Sequence, residues 1–358
     1  MNAAPDKPRS AKWRRRIVLS ALGGVALIGF VWFVVPQIAD LGPTLRRLRG
    51  GDVWWLALAI GLQALSIGGD VALFHGVFSR PGNRITVQTS STIALAGTAA
   101  TKVLATAGAG GITLNVWALR AAGLTDAEVA TGMVCLEVLS YGVYMAALAG
   151  FGFGLWTGVL PGPAPVGLTL IPALFATAVI ALALSTLVAA EPLERFLSRR
   201  AAASHGRIQR VWRALVPVPR SLRQGLHAAI GMVKRHDRSR IGALAGWAFD
   251  IATLWAAFRA FGGAPPVAVL VMGYFVGTLA NALPVPGGVG GVEGGLIGAF
   301  VAFGVPGSLA VLAVLAYRTI SYWLPAVPGA GEYLRLRHLV DRWRSGDGTA
   351  TPRASGSP

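Results

Sequence analysis

A single cysteine, Cys135, stands in the whole chain, which excludes an intrachain disulfide and any metal site built from several thiolates. It sits in an apolar run and reads as packing. Histidine is nearly as scarce: the five lie in or beside expected loops, and none shows HExxH-like spacing. No metal and no cofactor is expected. No GxxxxGK[ST] string occurs either, so a nucleotide-driven motor of that kind is not expected. Charge is short as well. Only 13% of residues are charged and 54% are hydrophobic, against roughly 25% charged in soluble domains. Such a chain cannot furnish a water-facing surface.

Apolar runs are what the sequence has in quantity. Stretches 17–35, 53–78, 86–101, 129–156, 167–189, 241–261, 267–283 and 308–325 reach or approach a membrane span, which takes ~20 residues. Two shorter stretches, 111–122 and 291–303, each follow a glycine-rich turn. The expected fold is an all-α polytopic membrane protein, with about eight long transmembrane helices and two short Gly-initiated intramembrane helices. Arg14, Arg15 and Arg16 precede the first run as in a signal peptide. That run is longer than a signal core and ends at Pro36 without a small-residue cleavage site, so an uncleaved helix is expected.

The expected layout is a basic N-terminus at 1–16, a transmembrane region at 17–330, and a basic then disordered tail at 331–358. Residues 191–240 form the one sizeable polar insertion, where Trp212, Leu215 and Leu222 suggest an amphipathic helix on the membrane surface. The formal charge of +17 does not point to nucleic acid, because the basic clusters 7–16, 195–240 and 335–353 flank apolar spans and accompany no nucleic-acid motif. That pattern retains segments on the cytoplasmic side.

An internal repeat runs at an offset of about 180 residues. Asp70 corresponds to Asp250 and Phe78 to Phe258, while Gly108, Gly110 and Gly111 correspond to Gly288, Gly290 and Gly291. After a one-residue slip Gly123 falls on Gly304 and Glu137 on Arg318. The halves are about 53–156 and 241–325. If both short stretches cross, the chain makes ten crossings and the halves are inverted. Both termini, Arg80, Arg84, Arg120 and the basic insertion then face the cytoplasm, with Arg46, Arg47 and Arg49 dissenting. If the short stretches are re-entrant, the insertion and the tail are forced to opposite faces.

Ionisable residues inside apolar spans are costly and hence candidates for function. Asp70 and Asp250 could relay protons, coordinate a cation or headgroup, or serve packing. Glu137 and Arg318 could form a buried pair, structural or broken during transport. Pro286, Gly287, Gly288 and Gly290 precede a short helix whose N-terminus would bind an anion. Gly110 and Gly111 are the first-half counterparts. Glu293 suits that helix start, or receives a proton or ammonium group. Lys102 could contact phosphate or snorkel to the interface, and Arg120 is favourable at a helix C-terminus in any case. An enzyme is not expected. Gly68-Gly69-Asp70 and Phe249-Asp250 superficially resemble intramembrane aspartyl protease motifs, but in reversed order and without Pro-Ala-Leu.

The string Asn281-Ala282-Leu283-Pro284-Val285-Pro286-Gly287-Gly288-Val289-Gly290-Gly291-Val292-Glu293 is followed by Gly304-Val305, Tyr317-Arg318, Tyr322-Trp323-Leu324-Pro325 and Gly329. Together with Leu119-Arg120-Ala121-Ala122-Gly123-Leu124-Thr125 and Glu137, it resembles flippase-like proteins related to the transmembrane region of lysylphosphatidylglycerol synthases. The resemblance covers roughly residues 50–330, though the first-half loop Ala105–Gly111 lacks the proline common there. It implies a lipid-translocating or lipid-handling protein of the cell membrane, and the expected partner is a lipid with an anionic headgroup, a phospholipid or a polyprenyl-phosphate-linked lipid. The other reading is a non-transporting scaffold for an envelope-biosynthesis enzyme.

Overall fold

The computed structural model describes residues 50–80, 84–103, 109–204, 206–234, 238–279 and 291–345. The expected first span, Arg46, Arg47 and Arg49, and the turn holding Pro286, Gly287, Gly288 and Gly290 lie outside the described residues. The regular structure among the described residues is helical, with no strand. The helices are α1 (Val53–Phe78), α2 (Val87–Val103), α3 (Ala109–Ala121), α4 (Asp126–Trp156), α5 (Leu170–Ala203), α6 (Gly206–Leu215), α7 (Pro217–Lys234), α8 (Arg238–Ala260), α9 (Val267–Thr278), α10 (Gly291–Ala302) and α11 (Gly307–Ser345).

Five of them, α1, α4, α5, α8 and α11, are long and apolar enough to cross a bilayer. At 1.5 Å per residue the 26 residues of α1 span about 39 Å. Leu65 on α1 and Ile171, Phe175, Leu182 and Val188 on α5 lie exposed, an outer surface that only lipid can solvate.

Three expected spans turn out differently. The run at 86–101 becomes α2, which is 17 residues long and rich in Ser and Thr. It packs inside the protein: Ser90, Thr89 and Thr92 are buried, and Thr92 Oγ1 donates to Glu332 Oε2 at 2.7 Å. Of the run at 267–283 the described residues hold α9, 12 residues long, and 280–283 lie outside them. The run at 308–325 instead continues to Ser345, past the expected boundary at 330 and with Pro325 and Pro328 inside the helix. Its extension is anchored, since Leu336 and Val340 are fully buried against α1–α4 residues such as Phe78 and Leu119.

Local chemistry sets the ends. Asp52 caps α1 by accepting from Trp54 N, and its own N–H donates to Ala260 O at 2.9 Å, tying the start of α1 to the end of α8. Thr125 and Glu128 close a capping box at the start of α4. The short helices α3 and α10 end alike. Gly123 N donates to Arg120 O and Leu124 N to Leu119 O; Gly304 N donates to Val301 O and Val305 N to Phe300 O. Both glycines have positive φ, 100° and 84°, which a Schellman stop requires.

Helices α1 and α8 lie antiparallel at very close range. A Cβ on Gly69 would sit 2.6 Å from Gly246 N, and one on Gly242 would sit 2.7 Å from Leu73 N. Gly242 and Gly246 are four apart on one face, the small-residue spacing that lets membrane helices approach. Two apolar cores result. One gathers residues of α8–α11, including Phe258, Met272, Phe275 and Phe300, with Tyr144, Leu148 and Leu155 of α4 and Ala176 of α5. The other gathers α1–α4 with the end of α11, Ala229 of α7 and Ala243 of α8. Amphipathic α7 rests on α4, where Gly225 faces Val134 and Thr131 Oγ1 meets Gln224 Oε1 at 3.3 Å.

Candidate functional site

A cavity of about 640 Å³ opens beside the α1–α8 crossing and is lined from α1, α2, α3, α4, α8, α9, α10 and α11. Asp70, Lys102, Gly111, Glu137, Asp250 and Arg318 all line it. The crossing explains the placement of the aspartates. Ser66 Oγ donates to Gly246 O at 2.8 Å. Asp70 is one helical turn beyond Ser66, and Asp250 one turn beyond Gly246. Because the helices are antiparallel, the carboxylates flank this contact on opposite sides.

The two aspartates have different surroundings. Asp250 Oδ2 accepts from the hydroxyls of Tyr274 and Tyr317, the latter at 2.8 Å. Asp70 is exposed to the cavity and makes no hydrogen bond or ion pair with the described residues. The missing side chain of Gly246 gives it room, since a Cβ there would lie 2.6 Å from Asp70 Oδ1. Hydrogen bonds to a charged group contribute about 1.5–3 kcal/mol. Tyr317→Phe is accordingly expected to lower stability by that order, read as a fall in Tm in detergent. Tyr322→Phe, which loses only a neutral bond at a carbonyl, serves as the comparison and should fall less.

Lys102 owes its position to a proline. Pro325 has no N–H, so the carbonyl four residues earlier, that of Ser321, has no helical donor. Lys102 Nζ donates to that carbonyl at 2.8 Å. In return Tyr322 donates from its hydroxyl to Lys102 O at 3.0 Å, filling one of the open carbonyls at the end of α2. The ammonium lies 5.2 Å from the Tyr322 ring centroid and Arg318 Cζ lies 5.9 Å from it, so one ring faces both cations. An ammonium has three donors, which leaves Lys102 able to bind a ligand as well. Snorkelling is not its arrangement.

Arg318 Nε pairs with Glu293 Oε1 at 2.8 Å, both side chains mostly buried at 13% and 19% exposure. Glu137 lines the same cavity, but Arg318 pairs with Glu293 rather than with it. Gly111 lies against α2, where a Cβ would be 2.5 Å from Gly97 O, so it serves close helix packing. Gly110 does not line the cavity. Nor does Arg120, which meets Asp126 at 2.7 Å with both side chains largely exposed.

Several lining residues escape a search for charge alone. Gln63 and Ser66 stand seven and four positions before Asp70, on the same face of α1. Trp247 donates from Nε1 to Ser140 O at 2.8 Å and joins Tyr274 in the wall. Among the described residues three buried polar atoms, Gln63 Oε1, Asn115 Oδ1 and Ser321 Oγ, have no hydrogen-bond partner, and all three residues line this cavity. Polar residues inside apolar runs were the available signal for them.

A family model described as lysylphosphatidylglycerol synthase TM region matches residues 17–329. Two relatives, each described as a UPF0104 membrane protein of Methanothermobacter thermautotrophicus, are similar over shorter stretches. One is 31% identical over 116 residues, 30% of this chain and 35% of the relative. The other is 37% identical over 84 residues, 23% of this chain and 24% of the relative. The chain thus aligns with about a quarter to a third of the length of these curated relatives.

Proposed function

The chain belongs to the lysylphosphatidylglycerol synthase transmembrane-region family and is a multi-pass membrane protein, and from that premise we propose that it moves a phosphate-bearing lipid headgroup across the cell membrane. One observation carries the reading: a chain with a lipid-facing apolar exterior encloses a cavity lined, among the described residues, by three acidic and two basic side chains and three unmatched polar groups. Membrane proteins bury such groups at a cost and where a polar species must pass. Lys102 and Arg318 would meet the phosphate. Asp70, Asp250, Glu137 and Glu293 supply counter-charge or proton exchange. In this reading the protein acts as a carrier and not as an enzyme.

An inverted repeat would give the two access states such a carrier needs. The matched Schellman stops at Gly123 and Gly304 support it, as does the long-short-short-long order of α1–α4 and α8–α11. So does the Ser66–Gly246 bond. Its partners are equivalent at the 180-residue offset, and a contact between equivalent positions lies on a two-fold axis. In this reading Arg80, Arg84 and the α6–α7 insertion face the cytoplasm.

The test is translocation in proteoliposomes, with labelled phospholipids followed by a leaflet-selective quencher. The wild type is expected to expose label beyond the outer-leaflet share. Asp70→Asn and Lys102→Met, if folded, are expected to fall to the protein-free rate. Protein-free kinetics for every phospholipid tried would overturn transport and favour the scaffold.

A further inference from the structure

The cavity holds more carboxylate than cation, and that imbalance restricts what can occupy it. Among the described residues, Asp70, Glu137 and Asp250 face it from three helices, its cations are Lys102 and Arg318, and Glu293 already engages Arg318. A bare phosphate would meet like charges in surroundings that screen them poorly. An occupant that brings hydrogen-bond donors besides its phosphate removes the conflict.

The unmatched polar atoms point the same way. Gln63 and Ser321 are each only 5% exposed, yet Gln63 Oε1 and Ser321 Oγ have no partner, and Asn115 Oδ1 shares that state. Buried acceptors are nearly always matched, by protein, water or ligand. The acceptors are also dispersed, on α1, α3, α4, α8 and α11. Among the described residues no three His, Cys, Asp or Glu side chains converge as a metal ion would need. A small point cation therefore finds no cage, whereas a ring of hydroxyls reaches acceptors on separate helices. Trp247 and Tyr141 add aromatic surface to the wall, suited to the C–H face of such a ring. The volume of about 640 Å³ has room for a ring together with a phosphate.

Resting on the transport reading above, we infer that the headgroup is a phosphorylated polyol, a sugar or cyclitol phosphate. Its phosphate lies at Lys102 and Arg318, and its hydroxyls reach Asp70, Gln63 and Asn115.

Binding to the purified full chain in nanodiscs tests this, with glucose 1-phosphate, phosphoethanolamine and inorganic phosphate as probes. Glucose 1-phosphate is expected to bind at least about tenfold more tightly than the other two. Gln63→Leu and Asn115→Leu, each checked for an unchanged Tm, are expected to reduce that preference to about threefold or less. Equal binding of the three probes would overturn the polyol assignment, as would tighter binding of phosphoethanolamine. A second arm compares phosphatidylinositol with phosphatidylethanolamine in the proteoliposome assay. Faster movement of phosphatidylinositol is the expected result. Equal rates overturn the polyol assignment and leave transport standing. Preferential glucose 1-phosphate binding with no lipid moved leaves the polyol site standing, marks a soluble sugar phosphate as its ligand, and overturns the transport reading.

Discussion

Arg318→Met is expected to lose about 3–5 kcal/mol of stability, the usual consequence of removing one partner of a buried ion pair. The Arg318–Glu293 contact at 2.8 Å has both side chains less than a fifth exposed, so water replaces the lost guanidinium poorly. Replacing both partners gives a different expectation. The Glu293→Gln, Arg318→Met double variant has no stranded charge and should recover most of the lost Tm in detergent, read by tryptophan fluorescence. On the transport proposal its lipid movement should stay at the protein-free rate, because the proposed phosphate site has lost a cation. Recovery of stability without recovery of transport separates the pair's structural part from its functional one. A double variant as unstable as Arg318→Met would show that the destabilisation has another source.

Gly69→Leu should have an effect of similar size for a steric reason. A Cβ at Gly69 would lie 2.6 Å from Gly246 N and 2.9 Å from Gly242 O, and backbone atoms cannot step aside. Even Gly69→Ala is expected to cost about 1–3 kcal/mol by overpacking. The leucine variant would drive α1 and α8 apart, break the Ser66–Gly246 bond and distort the cavity, appearing as loss of monodisperse protein. The neighbouring Gly68 is the internal control, since a Cβ there meets nothing within 4 Å. Gly68→Ala should be neutral or stabilising by up to about 1 kcal/mol, because alanine is the better helix former. If Gly68→Ala and Gly69→Ala behaved alike, the close crossing would not be what holds these helices together.

Fold class was legible in composition and run length. Where the expected spans and the helices differ, the cause is a contact that run length does not encode. Pro325 reads as a helix stop, yet α11 passes through it because Lys102, more than 200 positions away, takes up the freed carbonyl. The Ser/Thr-rich stretch of α2 reads as a span, but its hydroxyls are matched inside the protein, by Glu332 and by α2's own carbonyls. Gly69 carries no distinguishing mark among 47 glycines, and the Gly242–Gly246 spacing, though visible in the sequence, names no partner helix until the helices are brought together.

For the site, the sequence alone marked Asp70, Asp250, Glu137, Glu293, Lys102 and Arg318, because a charge inside an apolar run is costly and therefore conspicuous. It also carried the 180-residue correspondence, since glycine stops and aspartates recur at fixed spacing. Tertiary structure decided who faces whom. It gave Arg318 to Glu293 rather than Glu137, set two tyrosines on Asp250 and none on Asp70, and left Arg120 outside. Burial cost is a property of one residue in its run and can be read along the chain. Pairing depends on the distance between helices far apart in sequence, and only the antiparallel packing of α1 on α8 fixes that distance.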